Sequence, residues 1–211
     1  MANDSFTEQI RFQPYVGPTY EKTKTKVLIL GESHYGSQRD EHKDFTVDVV
    51  ENWLTGVYKL PFFDNILRAL FGNNDHARAK FGQLAFYNYL QVFKGETARD
   101  SSFLQQEHIY EAEQPFYEVL RALTPDVVLC FSYRVWNEAP WGDAEHDAQL
   151  PNSANELELW QRVYQANAGL DKPIPMYKLK HPSAGFSHSK YHALLCTIPE
   201  LSEYTVGDAK S

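Results

Sequence analysis

The sequence contains only two cysteines, Cys130 and Cys196. Two cysteines are too few for a disulfide framework, and their spacing forms no CxxC pair of the kind found in redox or zinc sites. Cys130 lies within the apolar run VVLCF, which predicts a buried thiol. We therefore expect neither cysteine to act as a nucleophile.

Signals for export, membrane insertion and phosphate-loop chemistry are also lacking. The N-terminal segment has neither the basic start nor the apolar run of a secretory signal, and no stretch of about 18 apolar residues could cross a bilayer. There is no glycine-rich phosphate loop and no HExxH motif. We expect a cytoplasmic, monomeric protein that needs no cofactor, metal or membrane.

Positive charge is scarce, since the formal net charge is -8. Such a chain is not expected to coat nucleic acid nonspecifically, because that mode of binding requires many clustered cations. One segment differs from the rest: no acidic residue lies between Asp171 and Glu200, while this segment contains four lysines and three histidines. A local basic face on an acidic protein is therefore compatible with the sequence.

The pattern of apolar runs predicts one domain over residues 1–211, with a core from about 26 to 200 and a frayed tail from about 207. Short runs rich in β-branched residues predict four buried strands. These strands alternate with helices, which indicates an α/β fold with three layers, α/β/α, around a central, mostly parallel four-stranded sheet. The predicted strands are Lys26–Leu30, Leu84–Tyr89, Asp126–Phe131 and Ile174–Lys180.

Helical spacing of apolar residues predicts the elements between these strands. Apolar residues from Phe45 to Val57 predict a first helix, and Pro61 begins a second that ends at the turn GNND, residues 72–75. Residues 141–155 are polar and rich in turn formers, which predicts a loop. Further helices are predicted around Phe116–Leu123, over Glu156–Ala166 and around Tyr191–Leu195.

Polar residues follow the first strand in the segment GESHYG, residues 31–36. In a parallel sheet, such residues lie at the carboxyl edge, where ligands bind. Glu32, Ser33, His34 and Tyr35 are therefore candidate site residues, and Gly31 indicates close backbone approach. The alternative is a plain polar loop in which Glu32 is solvated and Ser33 caps a helix.

Two more polar features are predicted at the same edge of the sheet. Asn88 is a single amide in the apolar strand AFYNYL, where it could either hold a neighbouring loop or read the edge of a pyrimidine. The segment HPSAGFS, residues 181–187, contains hydroxyl groups and a glycine that permits an unusual turn. This loop could hold a phosphate, or it could be a rigid turn before a helix that Ser187 caps.

In this order along the chain, GESHYG, the strand with Asn88, DVVLCFS and HPSAGFS resemble the motifs of the uracil-DNA glycosylase superfamily. The resemblance extends from about Lys26 to Leu195, and HPS after a late strand is its most specific part. In that superfamily, the first motif runs GQDPYHG or GEAPG and the last runs HPSPLS. The resemblance implies a monofunctional DNA glycosylase that hydrolyses the N-glycosidic bond of a flipped pyrimidine and leaves an abasic site.

Carried over by position, the resemblance implies a role for each motif residue. His181 would stabilise the negative charge on the departing base, and Glu32 would orient water and stabilise the sugar cation. Asn88 would recognise the base, and Tyr35, with His34 beside it, would wall the pocket. The implied contacts with DNA are Ser183, Gly185, Phe186 (near the position of the residue that fills the gap in the duplex), Ser187 and Lys190.

The first motif departs from the superfamily at two positions. Ser33, which we keep as a candidate catalytic residue, stands where one branch has an aspartate, and His34 replaces the proline. These changes, and the insertion between Gly36 and Asp44, favour a pocket adapted to a modified pyrimidine, and uracil stays open as the other base. A modified pyrimidine, such as a hydroxymethylated or glucosylated base of phage DNA, would make the protein an antiviral defence enzyme, and uracil would make it a base-excision repair enzyme.

Two other functions stay open from the sequence. A catalytically inactive protein of the same fold could bind nucleic acid or a nucleotide, which the missing aspartate and the acidic net charge would suit. A metal-dependent hydrolase could use His188 and His192, which are spaced i, i+4 on a predicted helix. Bound zinc in stoichiometric amount would indicate the latter.

Overall fold

A seven-stranded mixed sheet forms the centre of the computed structural model, which describes residues 6–72, 77–97, 100–144, 147–150, 157–183 and 185–205. Its strands occur in the order β1-β3-β2-β4-β7-β6-β5. Their bounds are Tyr15–Val16 (β1), Val27–Gly31 (β2), Leu84–Asn88 (β3), Val127–Cys130 (β4), Ala148–Leu150 (β5), Leu159–Tyr164 (β6) and Ile174–Lys178 (β7).

The four predicted strands are confirmed as β2, β3, β4 and β7, which are adjacent and parallel. Every residue of β2, β3 and β4 is buried, as expected for parallel strands covered on both faces. The carboxyl ends of these strands therefore meet at one edge of the sheet. GESHYG begins at the last residue of β2, Asn88 ends β3, and His181 follows β7.

The prediction of only four strands is wrong, because β1, β5 and β6 extend the sheet at its two edges by antiparallel pairing. The helix predicted over residues 156–166 is also wrong, since β6 occupies residues 159–164. Apolar residues at 159, 160, 163 and 164 match a helical spacing, but pairing with β7 on one side and β5 on the other gives a strand. Likewise, β5 lies inside the segment predicted to be a loop.

Helices cover both faces of the sheet. Alternate residues of each strand point to opposite faces. Ile29 packs in one hydrophobic cluster with the helices at 45–54, 61–71 and 188–195, whereas Leu28 packs in a second cluster with the helices at 113–123 and 133–138. This is the predicted three-layer arrangement. The helices are Phe45–Leu54 (α1), Pro61–Phe71 (α2), Ala77–Lys80 (α3), Gln106–Glu111 (α4), Glu113–Leu123 (α5), Tyr133–Glu138 (α6), His188–Leu195 (α7) and Ser202–Thr205 (α8).

Several sequence predictions are confirmed by the ends of these helices. Pro61 is the first residue of α2, and the side chain of Ser187 caps the N-terminus of α7. Three predicted features, the end of the GNND turn, part of the loop 141–155 and the tail from 207, lie outside the described residues. None of the helices in the described part of the chain is both long and apolar enough to cross a membrane.

A buried arginine joins β6 to the chain that precedes β5. The guanidinium of Arg162 donates to both carboxylate oxygens of Asp147, at 2.8 and 2.9 Å, and to the carbonyl oxygens of Ala139 and Pro140. The Arg162 side chain is only 3% exposed and that of Asp147 is 13% exposed. A charge so deeply buried requires these partners to stay in the folded state.

We expect Arg162→Met to lower the free energy of unfolding by about 3–5 kcal/mol, because it leaves the Asp147 carboxylate buried without its partner. Denaturant unfolding of the variant and of the wild-type protein measures this difference. The double variant Arg162→Met/Asp147→Leu removes both charges and is expected to recover part of the loss. A loss in the single variant no larger than that of an exposed ion pair would contradict this account.

Candidate active site

A cavity of about 620 Å³ opens at the carboxyl edge of the parallel strands. Its walls come from the segments after β2 and β7, from the end of β3, and from α1, α2 and the chain between them. All six candidates for catalysis and base binding line this cavity. They are Glu32, Ser33, His34, Tyr35, Asn88 and His181.

Glu32 is the acidic residue of the GESHYG segment, and basic groups surround its carboxylate. Lys94 Nζ donates to Oε1 at 2.8 Å, and Arg134 Nη1 lies 3.6 Å from the same oxygen. The hydroxyl of Ser132 donates to Oε2 at 3.2 Å. The Glu32 and Lys94 side chains are only 15% and 16% exposed, so solvent screens their interaction weakly. Each carboxylate oxygen of Glu32 therefore has its own partners, and these contacts fix the orientation of the carboxylate at the cavity wall.

Asn88 lies beside Gly31 in the parallel register of β2 and β3. A methyl group at Gly31 would lie 2.3 Å from Oδ1 of Asn88, so only glycine leaves room for this amide. The backbone carbonyl of Asn88 accepts a hydrogen bond from the Gln91 side chain at 2.8 Å. Asn88 lines the cavity, where its side-chain amide can donate to a ligand and accept from it.

His181 is placed at the cavity by α2. The rings of His181 and Phe62 have centroids 5.2 Å apart, and the Asn65 side chain donates to the carbonyl oxygen of Pro182 at 3.3 Å. Desolvation by the surrounding protein lowers the pKa of His181; the nearby Lys94 lowers it further, and Glu32 opposes both. With its pKa below 6.5, the imidazole is neutral at pH 7 and has one N–H to donate.

Ser33 and Tyr35 lie on either side of the buried His34. The hydroxyl oxygen of Ser33 is buried and has no hydrogen-bond partner among the described residues, which leaves it available to a bound ligand. The ring of Tyr35 lines the cavity and has the Lys94 ammonium 6.0 Å from its centroid. Both positions suit contact with a ligand.

His34 makes contacts that hold the fold together around the site. Its Nε2 atom lies 2.7 Å from the hydroxyl of Thr46 on α1, and its ring packs edge-on against Phe12 and Phe45. Its carbonyl oxygen accepts from the backbone N–H of Lys94 at 3.0 Å. These contacts tie the GESHYG segment to α1 and to the chain around Lys94, so a structural role accounts for His34.

We expect stability to fall as the pH is lowered, because burial lowers the pKa of His34 to about 3. Between pH 6.5 and about 3 the unfolded chain binds a proton at this position and the folded chain does not, so stability falls by up to about 1.4 kcal/mol per pH unit. Urea unfolding between pH 7 and pH 5 measures the slope. In His34→Phe/Thr46→Val, which keeps an apolar ring there, the slope is expected to be smaller; an unchanged slope would contradict the assignment.

The HPSAGFS segment forms a tight turn at the rim of the site. The N–H of Ser183 donates to the carbonyl oxygen of His181 at 2.8 Å, and Gly185 adopts a φ of +77°, which favours glycine. Ser183 and Lys190 are exposed, as contact with a DNA backbone requires, whereas Ser187 uses its hydroxyl to cap α7. Ala184 lies outside the described residues.

Phe186 does not project freely from this turn. Its ring stacks on Tyr191, with centroids 4.4 Å apart and planes 7° from parallel, and it packs against the hydrophobic cluster of α2 and α7. A role in filling the gap in a duplex would require the ring to leave this stack. That role stays a prediction.

Several residues of the site were missed by sequence reasoning. Phe86 is two residues before Asn88 and shares its face of β3, so strand alternation could have identified it as part of the wall. Lys94 could not have been found in this way, because backbone pairing between residues 34–36 and 93–95 brings it to Glu32. Arg134 and Ser132 reach Glu32 through the adjacency of β2 and β4.

The described residues contain no group of three or more His, Cys, Asp or Glu side chains that could hold a metal ion. Of the two histidines considered for such a site, His192 has its Nδ1 atom 2.9 Å from the carbonyl oxygen of Ala69. Comparison of the sequence with protein-family models and with curated proteins gives no match. The chemistry of the site is therefore inferred from its own residues.

Proposed function

We propose that the protein is a DNA glycosylase that hydrolyses the N-glycosidic bond of a flipped pyrimidine and leaves an abasic site. The observation that carries this proposal is the convergence of Glu32, Asn88 and His181 on one cavity. These are the carboxylate, the amide and the imidazole for which the resemblance to the uracil-DNA glycosylase superfamily implies roles. They come from three separate segments of the chain, which meet only in the folded protein.

The side chains of Glu32, His181 and Asn88 suit the steps of N-glycosidic bond hydrolysis. The bond between C1′ and the base nitrogen breaks, its electron pair leaves with the base, and the sugar acquires positive charge. The Glu32 carboxylate stabilises that charge and orients the water that adds to C1′, whose proton passes to Glu32 and then to solvent. A neutral His181 donates its N–H to the base as negative charge develops there. Asn88 pairs with the edge of the base through both atoms of its amide.

The cavity favours a base larger than uracil. A volume of about 620 Å³ is in the range that accommodates a drug-sized ligand, whereas a bare pyrimidine is a single ring. Beyond the aromatic wall, the cavity is lined by Asp48, Asn52 and Tyr58, which offer donors and acceptors to a polar substituent. We therefore propose a pyrimidine with a hydroxymethyl or glucosyl substituent as the substrate, which assigns the protein to defence against phage DNA.

Release of bases from a panel of oligonucleotides tests both parts of this proposal. The panel contains uracil, 5-hydroxymethyl and glucosylated pyrimidines in single and double strands, and abasic sites are detected by alkaline cleavage. We expect cleavage at a substituted pyrimidine that Asn88→Ala and His181→Ala abolish or reduce. Efficient release of uracil alone would overturn the assignment of the base, and no abasic product from any substrate would overturn the enzymatic function.

A binding protein of the same fold is the second candidate, which the acidic net charge and the serine at position 33 favour. The two functions make different demands on Glu32. A protein that only binds would keep its affinity for the oligonucleotide in Glu32→Gln and would release no base in either form. An enzyme loses turnover in that variant while it still binds.

A further inference from the structure

A group of aromatic rings surrounds a lysine on the face of the sheet that α6 covers. The ammonium of Lys178 lies 5.2 Å from the ring centroid of Tyr133, 5.9 Å from that of Trp136 and 6.0 Å from that of Trp160. Lys178 has no carboxylate partner among the described residues. We call Tyr133, Trp136, Trp141, Trp160 and Lys178 the aromatic surface.

Two rings of this surface are open to solvent. Tyr133 is 47% exposed and Trp141 is 64% exposed. Each has a cation near one face, since Lys178 lies over Tyr133 and the Arg162 guanidinium lies 4.9 Å from the ring centroid of Trp141. Trp136 is buried and lies close to both cations, with the Arg162 guanidinium 4.6 Å and the Lys178 ammonium 5.9 Å from its ring centroid.

The aromatic surface begins where the active site ends. The hydroxyl groups of Tyr133 and Tyr191 are 3.4 Å apart, and Tyr191 stacks on Phe186 of the HPSAGFS segment. The residue after Tyr133 is Arg134, which lies 3.6 Å from Glu32. The first turn of α6 thus contributes Tyr133 to the aromatic surface, and the next residue, Arg134, lies beside the Glu32 carboxylate.

We infer that the aromatic surface binds the bases of single-stranded DNA that flank the nucleotide in the cavity. This inference rests on the proposed function for the identity of the strand. Exposed rings with a cation over one face provide stacking platforms that unpaired bases can use, and bases within a duplex cannot. A single strand can gain affinity through stacking on a few rings, which suits a protein of net charge -8.

Fluorescence anisotropy with an unmodified single-stranded oligonucleotide tests the surface without requiring any base to be released. We expect Trp141→Ala and Tyr133→Ala each to weaken binding about tenfold, the scale of one lost stacking platform. Lys178→Gln is expected to weaken binding and to reduce its dependence on salt. Tyr110→Ala is the matched control, because Tyr110 is 72% exposed on α4, and it should leave binding unchanged.

The outcomes separate this inference from the proposed function. Equal binding of single-stranded DNA by the wild-type protein and by all three variants would overturn the aromatic surface as a binding site, even if the protein releases bases. Loss of binding in the variants with no base release from any oligonucleotide would support the surface and overturn the glycosylase. Tighter binding of a duplex than of the single strand, with the same loss in the variants, would overturn the single-strand assignment.

Discussion

Glu32→Gln should lower the rate of base release by about 10²- to 10⁴-fold, the range that a positioned acid or base contributes to such a reaction. Glutamine keeps the shape of the side chain: its amide oxygen can still accept from Lys94, and its amide nitrogen can donate to the Ser132 hydroxyl. It removes the negative charge that faces the sugar as C1′ becomes positive. The measurement is single-turnover release from the substrate identified in the oligonucleotide panel, which isolates the chemical step from product release.

Glu138→Gln is the matched control for this experiment. Glu138 is an exposed carboxylate at the end of α6, outside the 620 Å³ cavity, and the same substitution there should leave the rate unchanged. Circular dichroism and the affinity for the oligonucleotide should be similar in both variants and the wild-type protein. Release by Glu32→Gln at the wild-type rate would show that another group supports the sugar cation, and the role of Glu32 would have to be withdrawn.

The parallel centre of the sheet could be predicted from the sequence because its signal is local. β2, β3 and β4 are short apolar runs that are buried on both faces, and each stands out from its neighbours in the chain. The edge strands could not be predicted, because their state depends on partners far away in sequence. The apolar residues of the LWQRVY segment in β6 are compatible with a helix or a strand, and pairing with β7 and β5 makes it a strand.

The same distinction applies to the site. Glu32, Asn88 and His181 could be proposed because each lies at the carboxyl end of a predicted parallel strand, and such ends share one edge of a sheet. His34 is predicted to help bind the pyrimidine base, but the sequence could not show that its Nε2 atom lies 2.7 Å from the hydroxyl of Thr46. Lys94 lies 62 residues after Glu32, outside any predicted strand or motif, so its contact with Glu32 could not be predicted. Contacts made by loops depend on how the whole chain packs.

The cluster of basic groups around Glu32 explains how this site could work without the aspartate found in one branch of the superfamily. Lys94 and Arg134 lie beside the Glu32 carboxylate and Ser132 donates to it, so these three side chains orient it. The same Lys94 lowers the pKa of His181 and so helps to keep that imidazole neutral. One lysine thus contacts the carboxylate and lowers the pKa of the imidazole to which the proposed reaction assigns its two main roles.

His181→Ala should lower kcat for base release by about 10²- to 10³-fold with little change in KM, because the imidazole N–H acts on charge that exists only in the transition state. His181→Gln retains an N–H donor and is expected to recover part of the rate. His188→Ala, which removes a histidine at the start of α7 outside the cavity wall, should leave the rate unchanged. A rise in KM with constant kcat would instead assign His181 to substrate binding.

The pH dependence gives an independent measure of the same residue. Since desolvation lowers the pKa of His181, the imidazole is already neutral at pH 7, and a rise to pH 8.5 removes no proton from it. The wild-type rate should therefore not fall because of His181 as the pH rises above 6.5. A fall that is present in the wild-type protein and absent from His181→Gln would contradict this. Such a fall would mean that the charged imidazolium drives release. His181 would then act as a general acid that protonates the departing base, and Lys94 would oppose the reaction instead of supporting it.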